Sequence, residues 1–316
     1  LVVRKSSATS KEYGCYPEER PVEDLLDYGV LNIDKPKGPT SHQVSDYVKR
    51  ILGLKKAGHS GTLDPGVTGV LPIAFGRATR VIEYLLKSGK QYICVVHFHK
   101  ELSKEEILKG IQAFTGRIDQ LPPVKSAVKR RLRKRDIYSA DVLDLESQDV
   151  LVRIYCQAGT YIRKWAHDLG LRLGVGAHMA ELRRVKAGPF DESTCVYLQD
   201  LVDAMHYYKN GNSEPLKQIL MPIEEAVRHI PKVWDLDTTV DSLCHGAQLS
   251  VPGISKLHKE IDKDQLVAIM TLKNELVGVG RALLPSSKML GDRGLAVKPE
   301  KIFMKPGTYP KKTEEK

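Results

Sequence analysis

No stretch of this 316-residue chain approaches the roughly 18 consecutive apolar residues that a membrane-spanning helix needs, so neither a transmembrane helix nor a membrane partner is expected. The opening residues LVVRKSSATSKEYG carry charge but no apolar run of about 7 to 15 residues, which argues against a secretory signal and makes the cytosol the expected compartment. Cysteine is scarce. Cys15, Cys94, Cys156, Cys195 and Cys244 lie far apart, are odd in number and contain no C-x2-C pair, so neither a disulfide framework nor a zinc site is expected. His42, His59, His97, His99, His167 and His178 lack H-x3-H or H-E-x2-H spacing. The chain also lacks a G-x4-GK[ST] phosphate loop and a G-x-G-x2-G fingerprint, which leaves no metal or nucleotide cofactor to expect. Internal repeats and low-complexity tracts are absent.

What is present is positive charge. Lys plus Arg number 49 against 39 Asp plus Glu, a net +10, so a polyanion is the first partner to test and nucleic acid comes first among polyanions. At roughly 150 residues per domain the length suggests two domains. Residues 1–27 read as an arm that wraps something or stays mobile, with Pro17 and Pro21 among mixed charges. Val30, Leu31 and Ile33 form a short buried-strand run. Thr40 or Ser41 then caps a helix whose apolar positions Val44, Tyr47, Val48 and Ile51 share a face, with Gly53 as its stop. Further helices are expected over about Thr79–Leu86, after the capping box Ser103/Glu106, and over Tyr161–Leu173. Gln91–Phe98 reads as strand, and Asp141–Leu145 with Val150–Cys156 reads as a hairpin. Helices and strands interleaved without βαβ spacing imply an α+β domain on a mixed or antiparallel sheet, over residues 28–230. From Pro231 to about 310, Gln265–Thr271 and Leu276–Arg281 flank Lys273-Asn274, with further strands near Ala296 and Ile302–Met304. That pattern implies a small β-rich second domain, followed by a charged tail over 311–316.

Five segments could carry chemistry. In GHSGTLDP, residues 58–65, the glycines permit a sharp turn and Pro65 fixes the chain after Asp64, so Asp64 is either a presented reactive carboxylate or the acceptor of an Asx-turn. In AGTYIRKWAHDLG, Arg163 falls in the first turn of a helix, as a counter-ion for Asp64 or as a solvated arginine. Tyr92 projects from one face of a strand, to stack on a base or to fill core. ELRRVKAG sets Leu182 beside Arg183 and Arg184, either an apolar wall next to phosphate contacts or an ordinary amphipathic element. KRRLRKR holds Lys129, Arg130, Arg131, Arg133, Lys134 and Arg135, which suit a phosphate backbone; a solvated loop or a nuclear-localisation signal is the alternative.

LNIDKPKGPTSH, GHSGTLDP, KQYI, GTYIR and GVGAHMAELRR, in that order, resemble the pseudouridine synthase family that modifies uridine 55-type sites in transfer RNA. PPVKSAVKRRLRKR and CHGAQLSVPGI are similar to its archaeal and eukaryotic, dyskerin-like branch, the catalytic subunits of box H/ACA ribonucleoproteins. The resemblance covers about residues 13–310. It implies a mixed-sheet synthase domain and a β-barrel PUA domain, with Asp64 catalytic, Tyr92 packing on the target base, Arg163 paired with Asp64, His59 helping the base leave its helix, and Leu182 as pocket wall. Arg183, Arg184 and the basic run, with Gly246 and Gly253 in the C-terminal motif, become RNA contacts by the same resemblance. It further implies an H/ACA guide RNA, a ribosomal or transfer RNA substrate, small partner proteins including a kink-turn-binding protein, and no cofactor. The absence of long lysine-rich tails points to the archaeal form, hence the cytoplasm, or the nucleolus were it eukaryotic.

One departure bears on substrate choice. Bacterial relatives carry an RNA-gripping insertion after the KxY strand, where here about five residues separate Phe98 from Ser103. Two rival readings are a stand-alone transfer RNA synthase and a non-catalytic RNA scaffold. Asp64, Tyr92 and Arg163 together argue against the scaffold, which needs none of them as a set.

Overall fold

The computed structural model describes residues 1–122 and 131–311, so the charged tail expected at 311–316 lies outside the described residues from 312 onward. The chain forms two compact units, one comprising Leu31–Ala74 and Ile82–Pro215, the other Leu1–Val30, Phe75–Val81 and the chain from Leu216 onward.

The fold is α+β. In the first unit a mixed sheet runs in the order Gly29–Lys35, Thr68–Phe75, Ala177–Ala187, Lys90–Phe98, Asp149–Cys156, Arg133–Glu146, Gly116–Gln120. Thr68–Phe75 and Ala177–Ala187 pair in parallel, and the strands beyond them pair antiparallel. Strand Lys90–Phe98 alternates strictly: Lys90, Tyr92, Cys94, Val96 and Phe98 are buried while the residues between them are half-exposed. A period of two lets one face hold a core and the other meet water. Helices Lys104–Ala113 and Ile162–Arg172 supply Ile107, Ile111, Ile162, Trp165 and Leu169 to that core. Trp165 Nε1 donates to the Phe114 carbonyl at 3.1 Å, so the indole is buried with its one donor satisfied.

The helix signals behave as their chemistry dictates. Thr40 and Gln43 form a reciprocal capping box at Ser41–Ile51, and Ser103 with Glu106 does the same at Lys104–Ala113. Strand Lys90–Phe98 and the Ser103 cap are separated by residues 99–102 alone, so the connection is as short as the sequence requires. Two expectations shift. Residues 79–86 begin in a 3-10 turn, Gly76–Val81, before the α-helix Ile82–Lys87. The hairpin expected from Asp141 begins at Arg133, because Gly116–Gln120 pairs with that stretch as a further strand.

In the second unit the strand order is Val2–Val3, Ile254–Leu257, Lys232–Asp235, Leu266–Met270, Leu276–Ala282, Leu295–Ile302, Leu249–Ser250. Asn274, at φ 66°, sits in the turn between Leu266–Met270 and Leu276–Ala282, a left-handed position that asparagine tolerates. Residues 1–15 lie along this unit: Val2 and Val3 extend its sheet, the Thr9 hydroxyl donates to Asp237, and the Cys15 amide donates to Glu275. A buried bidentate pair, Arg20 to Glu224 at 2.8 Å for both bonds, ties in the following segment, and Glu224 also accepts from the Leu276 amide at 2.8 Å. Glu224→Ala would strand both donors. A loss of about 3–5 kcal/mol is expected, read as a lowered urea midpoint, with no change showing that the pair is dispensable.

Candidate active site

The chain dives into the core at Leu63 and again at Val67, leaving Asp64, Pro65 and Gly66 exposed between two buried anchors. Both sides of this tip are held. Ser41 Oγ accepts from the Leu63 amide at 2.8 Å and donates to its carbonyl at 3.3 Å, and the Val67 amide closes a turn onto the Asp64 carbonyl at 3.0 Å. Lys35, itself fully buried, donates to the carbonyls of Pro36, Pro65 and Val67. The Asp64 carboxylate thus projects from a fixed backbone. Its bond goes to Arg163 Nη2 at 2.6 Å, so the carboxylate faces an arginine and is not the acceptor of an Asx-turn.

Arg163 is placed from the other side. It occupies the first turn of Ile162–Arg172, off the face that buries Ile162, Trp165, Ala166 and Leu169. Gln120, 2% exposed, fixes the helix start by donating to the Tyr161 carbonyl at 3.0 Å and accepting from the Tyr161 amide at 2.8 Å. Nothing in the sequence marks Gln120; its role arises only once Gly116–Gln120 pairs as a strand. The side chains of Asp64 and Arg163 remain 50% and 49% exposed, so the pair is open to solvent and to a substrate.

Tyr92 lies opposite Arg184 and Cys94 opposite Leu182 on paired strands, so Tyr92, Leu182 and Arg184 share the face that carries the core. Burial pushes the Tyr92 hydroxyl up, while Arg184 opposes that shift. Arg184 is 1% exposed and donates to the carbonyls of Val70 at 2.8 Å and Gly61 at 3.2 Å. The expected phosphate contact at Arg184 is therefore corrected: its guanidinium holds the Asp64 loop from beneath. Arg183 points to the opposite face, where Asp34 takes it bidentately at 3.0 and 2.7 Å and Glu192 takes Nε at 2.6 Å. Carboxylates occupy both its edges, and its side chain remains 37% exposed.

His59 is half-buried, edge-on to His42 at 4.7 Å between ring centroids. Its Nδ1 accepts from the Gly61 amide at 3.3 Å, which puts the neutral ring's proton on a buried Nε2. Burial first, then His42 and Arg184, lower its pKa from 6.5 to about 4. The folded state therefore refuses a proton that the unfolded chain accepts, so this contribution to stability is complete above pH 6.5 and drains away as pH falls toward about 4. His59→Gln is expected to lose less stability than the parent between pH 7.5 and 5. Parallel urea midpoints would check this; identical losses would remove His59 from the acid response.

The remaining expected RNA contacts divide. Lys129 and Arg130 lie outside the described residues. Arg133, Lys134 and Arg135 are paired in a strand with Gln120, Asp119 and Ile118, so their side chains alternate between faces. Arg135 Nε donates to the Gly159 carbonyl at 3.1 Å; Arg131 and Lys134 are exposed. Gly246, at φ 92°, is open to solvent. Gly253 is buried where a Cβ would come within 2.9 Å of Thr239, so its smallness serves packing, a correction to the expected contact. No group of three or more His, Cys, Asp or Glu among the described residues is arranged to hold a metal ion.

A carboxylate paired with an arginine, on a loop held from both sides and beside a buried tyrosine, has the groups that nucleophilic or proton-abstracting chemistry requires. Comparison with known proteins specifies it. Residues 49–162 match the TruB family pseudouridylate synthase N terminal domain, and residues 163–228 the tRNA pseudouridylate synthase B C-terminal domain. Residues 1–45 match the DKCLD (NUC011) domain and 231–303 the PUA domain. The probable tRNA pseudouridine synthase B of Nanoarchaeum equitans is 52% identical over 311 residues, 98% of this chain and 89% of that one. That of Thermococcus kodakarensis is 52% identical over 320 residues, 100% and 95% respectively. Among solved structures, an H/ACA RNP bound to a substrate RNA containing 2′-deoxyuridine superimposes at TM-score 0.93 with 47% identity, covering 99% of this chain and 96% of that chain. A Cbf5–Nop10–Gar1 complex gives 0.92 and 50%, covering 98% and 95%. Fold and site together define an RNA-modifying isomerase with a PUA domain. The chain belongs to the TruB family of pseudouridylate synthases.

Proposed function

We propose that the protein is the catalytic subunit of a guide-RNA-directed particle that isomerises uridine to pseudouridine in ribosomal RNA, with transfer RNA as a second substrate class. The observation that carries the site assignment is Asp64, held at 2.6 Å by Arg163 on a loop pinned by Ser41, Lys35 and Arg184. Asp64 is the reacting acid, free to attack C1′, to add to C6 or to remove the C2′ proton. Tyr92 packs on the base, Leu182 walls the pocket and His59 assists extrusion, offsetting an unstacking cost of a few kcal/mol. The isomerisation breaks N1–C1′, forms C5–C1′ and moves one proton from C5 to N1, so it consumes no cofactor. Residues 28–230 serve as the synthase domain, and 231–310 anchor guide RNA.

Guide dependence has its support in the relative solved as an H/ACA RNP bound to a substrate RNA, in the relative solved as a Cbf5–Nop10–Gar1 complex and in the short connection from Phe98 to Ser103. Without a gripping insertion, the binding energy that positions the uridine has to come from base pairing to a guide, with small partner proteins such as the Nop10 and Gar1 of that solved complex and a kink-turn-binding protein. A location in the archaeal cytoplasm follows from the same reading. Single-turnover assays on one ribosomal RNA fragment, protein alone against the reconstituted particle, are expected to differ by more than about tenfold. Equal rates would favour the stand-alone reading. Transfer RNA is to be run separately, since its own fold can position a uridine.

A further inference from the structure

Beneath the Asp64 loop lie three basic side chains, Lys35, Lys90 and Arg184, at 0%, 4% and 1% exposure, and burial followed by the charge of Arg184 lowers the Lys90 pKa from 10.5 to about 7, leaving Arg184 and Lys35 as the principal charges. Among the described residues none forms an ion pair with a carboxylate; their hydrogen-bond acceptors are backbone carbonyls. Lys35 holds Pro36, Pro65 and Val67; Lys90 holds Leu85, Leu86 and Ser88 at 2.7–3.1 Å; Arg184 holds Val70 and Gly61. Lys35 holds the C-terminal side of the loop, and Arg184 and Lys90 approach the same point on its N-terminal side. The point where a side chain would leave Gly61 is 3.7 Å from Arg184 Nη1 and 4.0 Å from Lys90 Cε. Arg184 sits directly across the strand pair from Tyr92 and interacts with its hydroxyl.

Carbonyl dipoles compensate a buried cation only in part, and an apolar side chain would fill the same volume without the desolvation cost. Elsewhere in this chain buried arginine is neutralised, as Arg20 is by Glu224. Lys273 is likewise buried against the carbonyls of Tyr13 and Gly14, but it stands alone, whereas at the candidate site two lysines and an arginine are gathered under one loop. Each route open to Asp64 sends negative charge into the pyrimidine. Breaking N1–C1′ leaves the bond pair on N1, spread over O2 and O4; addition at C6 pushes it to C5 and O4. A fixed cation next to the position where charge develops lowers the barrier with no reorganisation at the moment of reaction.

We infer that Arg184, backed by Lys35 and Lys90, is an electrostatic positioning group that stabilises the pyrimidine's developing anion from beneath Tyr92. The inference rests on the uridine-isomerising reading above. It adds a second role for Arg184, beside holding Gly61, that structural support alone would not require.

The test compares Arg184→Met and Arg184→Lys with the parent in the reconstituted particle, on RNAs carrying uridine or 5-fluorouridine at the target. Fluorine makes the ring a better anion and replaces the C5 proton, so the readout is formation of the C5–C1′ bond, upstream of proton loss. Arg184→Met is expected to slow uridine by about a hundredfold and 5-fluorouridine distinctly less, with unchanged RNA affinity and most of the rate restored in Arg184→Lys. Equal slowing on both pyrimidines, or no recovery with lysine, would overturn the inference. If Arg184→Met does not fold, Lys90→Met carries the same comparison with a smaller change, and an identical slowing on both rings again overturns it. Asp64→Asn run in parallel separates the two levels. Retained turnover there defeats the reaction itself, whereas lost turnover with a flat Arg184 comparison defeats only the anion-stabilising role.

Discussion

Asp64→Asn is expected to lower single-turnover isomerisation by at least about a thousandfold while leaving RNA affinity within about twofold. Asparagine keeps the size of the side chain and one oxygen for Arg163, so the loop geometry set by Ser41, Lys35 and Arg184 has no reason to change. What is lost is the negative charge and basicity that attack on C1′, addition to C6 or abstraction at C2′ each demand. Arg131 and Lys134, exposed cations available to phosphate, are untouched by this substitution. Turnover within tenfold of the parent would remove Asp64 from the chemistry, and a parallel collapse of RNA affinity would assign it to binding.

The parts of this site that sequence exposes are those governed by local rules. Thr40 with Gln43 and Ser103 with Glu106 announce their helices because the cap and its partner are three residues apart. The alternation from Lys90 to Phe98 announces a strand with one buried face. Asp64 and Arg163 are separately visible as a constrained acid and a helix-start arginine, although only folding brings them within 2.6 Å. Hidden are the interactions set by register. Arg183 and Arg184 are adjacent and chemically identical, yet strand geometry sends one to Asp34, 149 residues distant, and buries the other among carbonyls. Likewise Gly246 and Gly253 look alike as letters, but one is open to solvent and the other is a packing contact against Thr239. Within the basic run, Arg133, Lys134 and Arg135 are consecutive letters whose side chains the strand sends to alternating faces.

Arg163→Ala is expected to reduce turnover by about a hundredfold or more while changing stability by less than about 1 kcal/mol. The two halves of this expectation come from different features of the same pair. Asp64 and Arg163 are each about half exposed, so removing the guanidinium leaves a carboxylate that water can solvate, and no buried charge is stranded. A large stability loss, which a buried Asp64 would have brought, is therefore not expected. Orientation is another matter. Gln120 clamps Tyr161 and thereby the first turn of Ile162–Arg172, which sets where Arg163 can meet Asp64. Without that contact the carboxylate is free to rotate, and a displacement of about 1 Å from the reacting carbon is enough for a hundredfold loss. Arg163→Lys keeps the charge but offers one point donor in place of a planar fork, so it should recover only part of the rate. The discriminating set is turnover, RNA affinity and urea midpoint for both variants. Unchanged turnover in Arg163→Ala would remove the ion pair from the mechanism, and a stability loss of several kcal/mol would show that the pair acts chiefly as a structural tie between the loop and the helix.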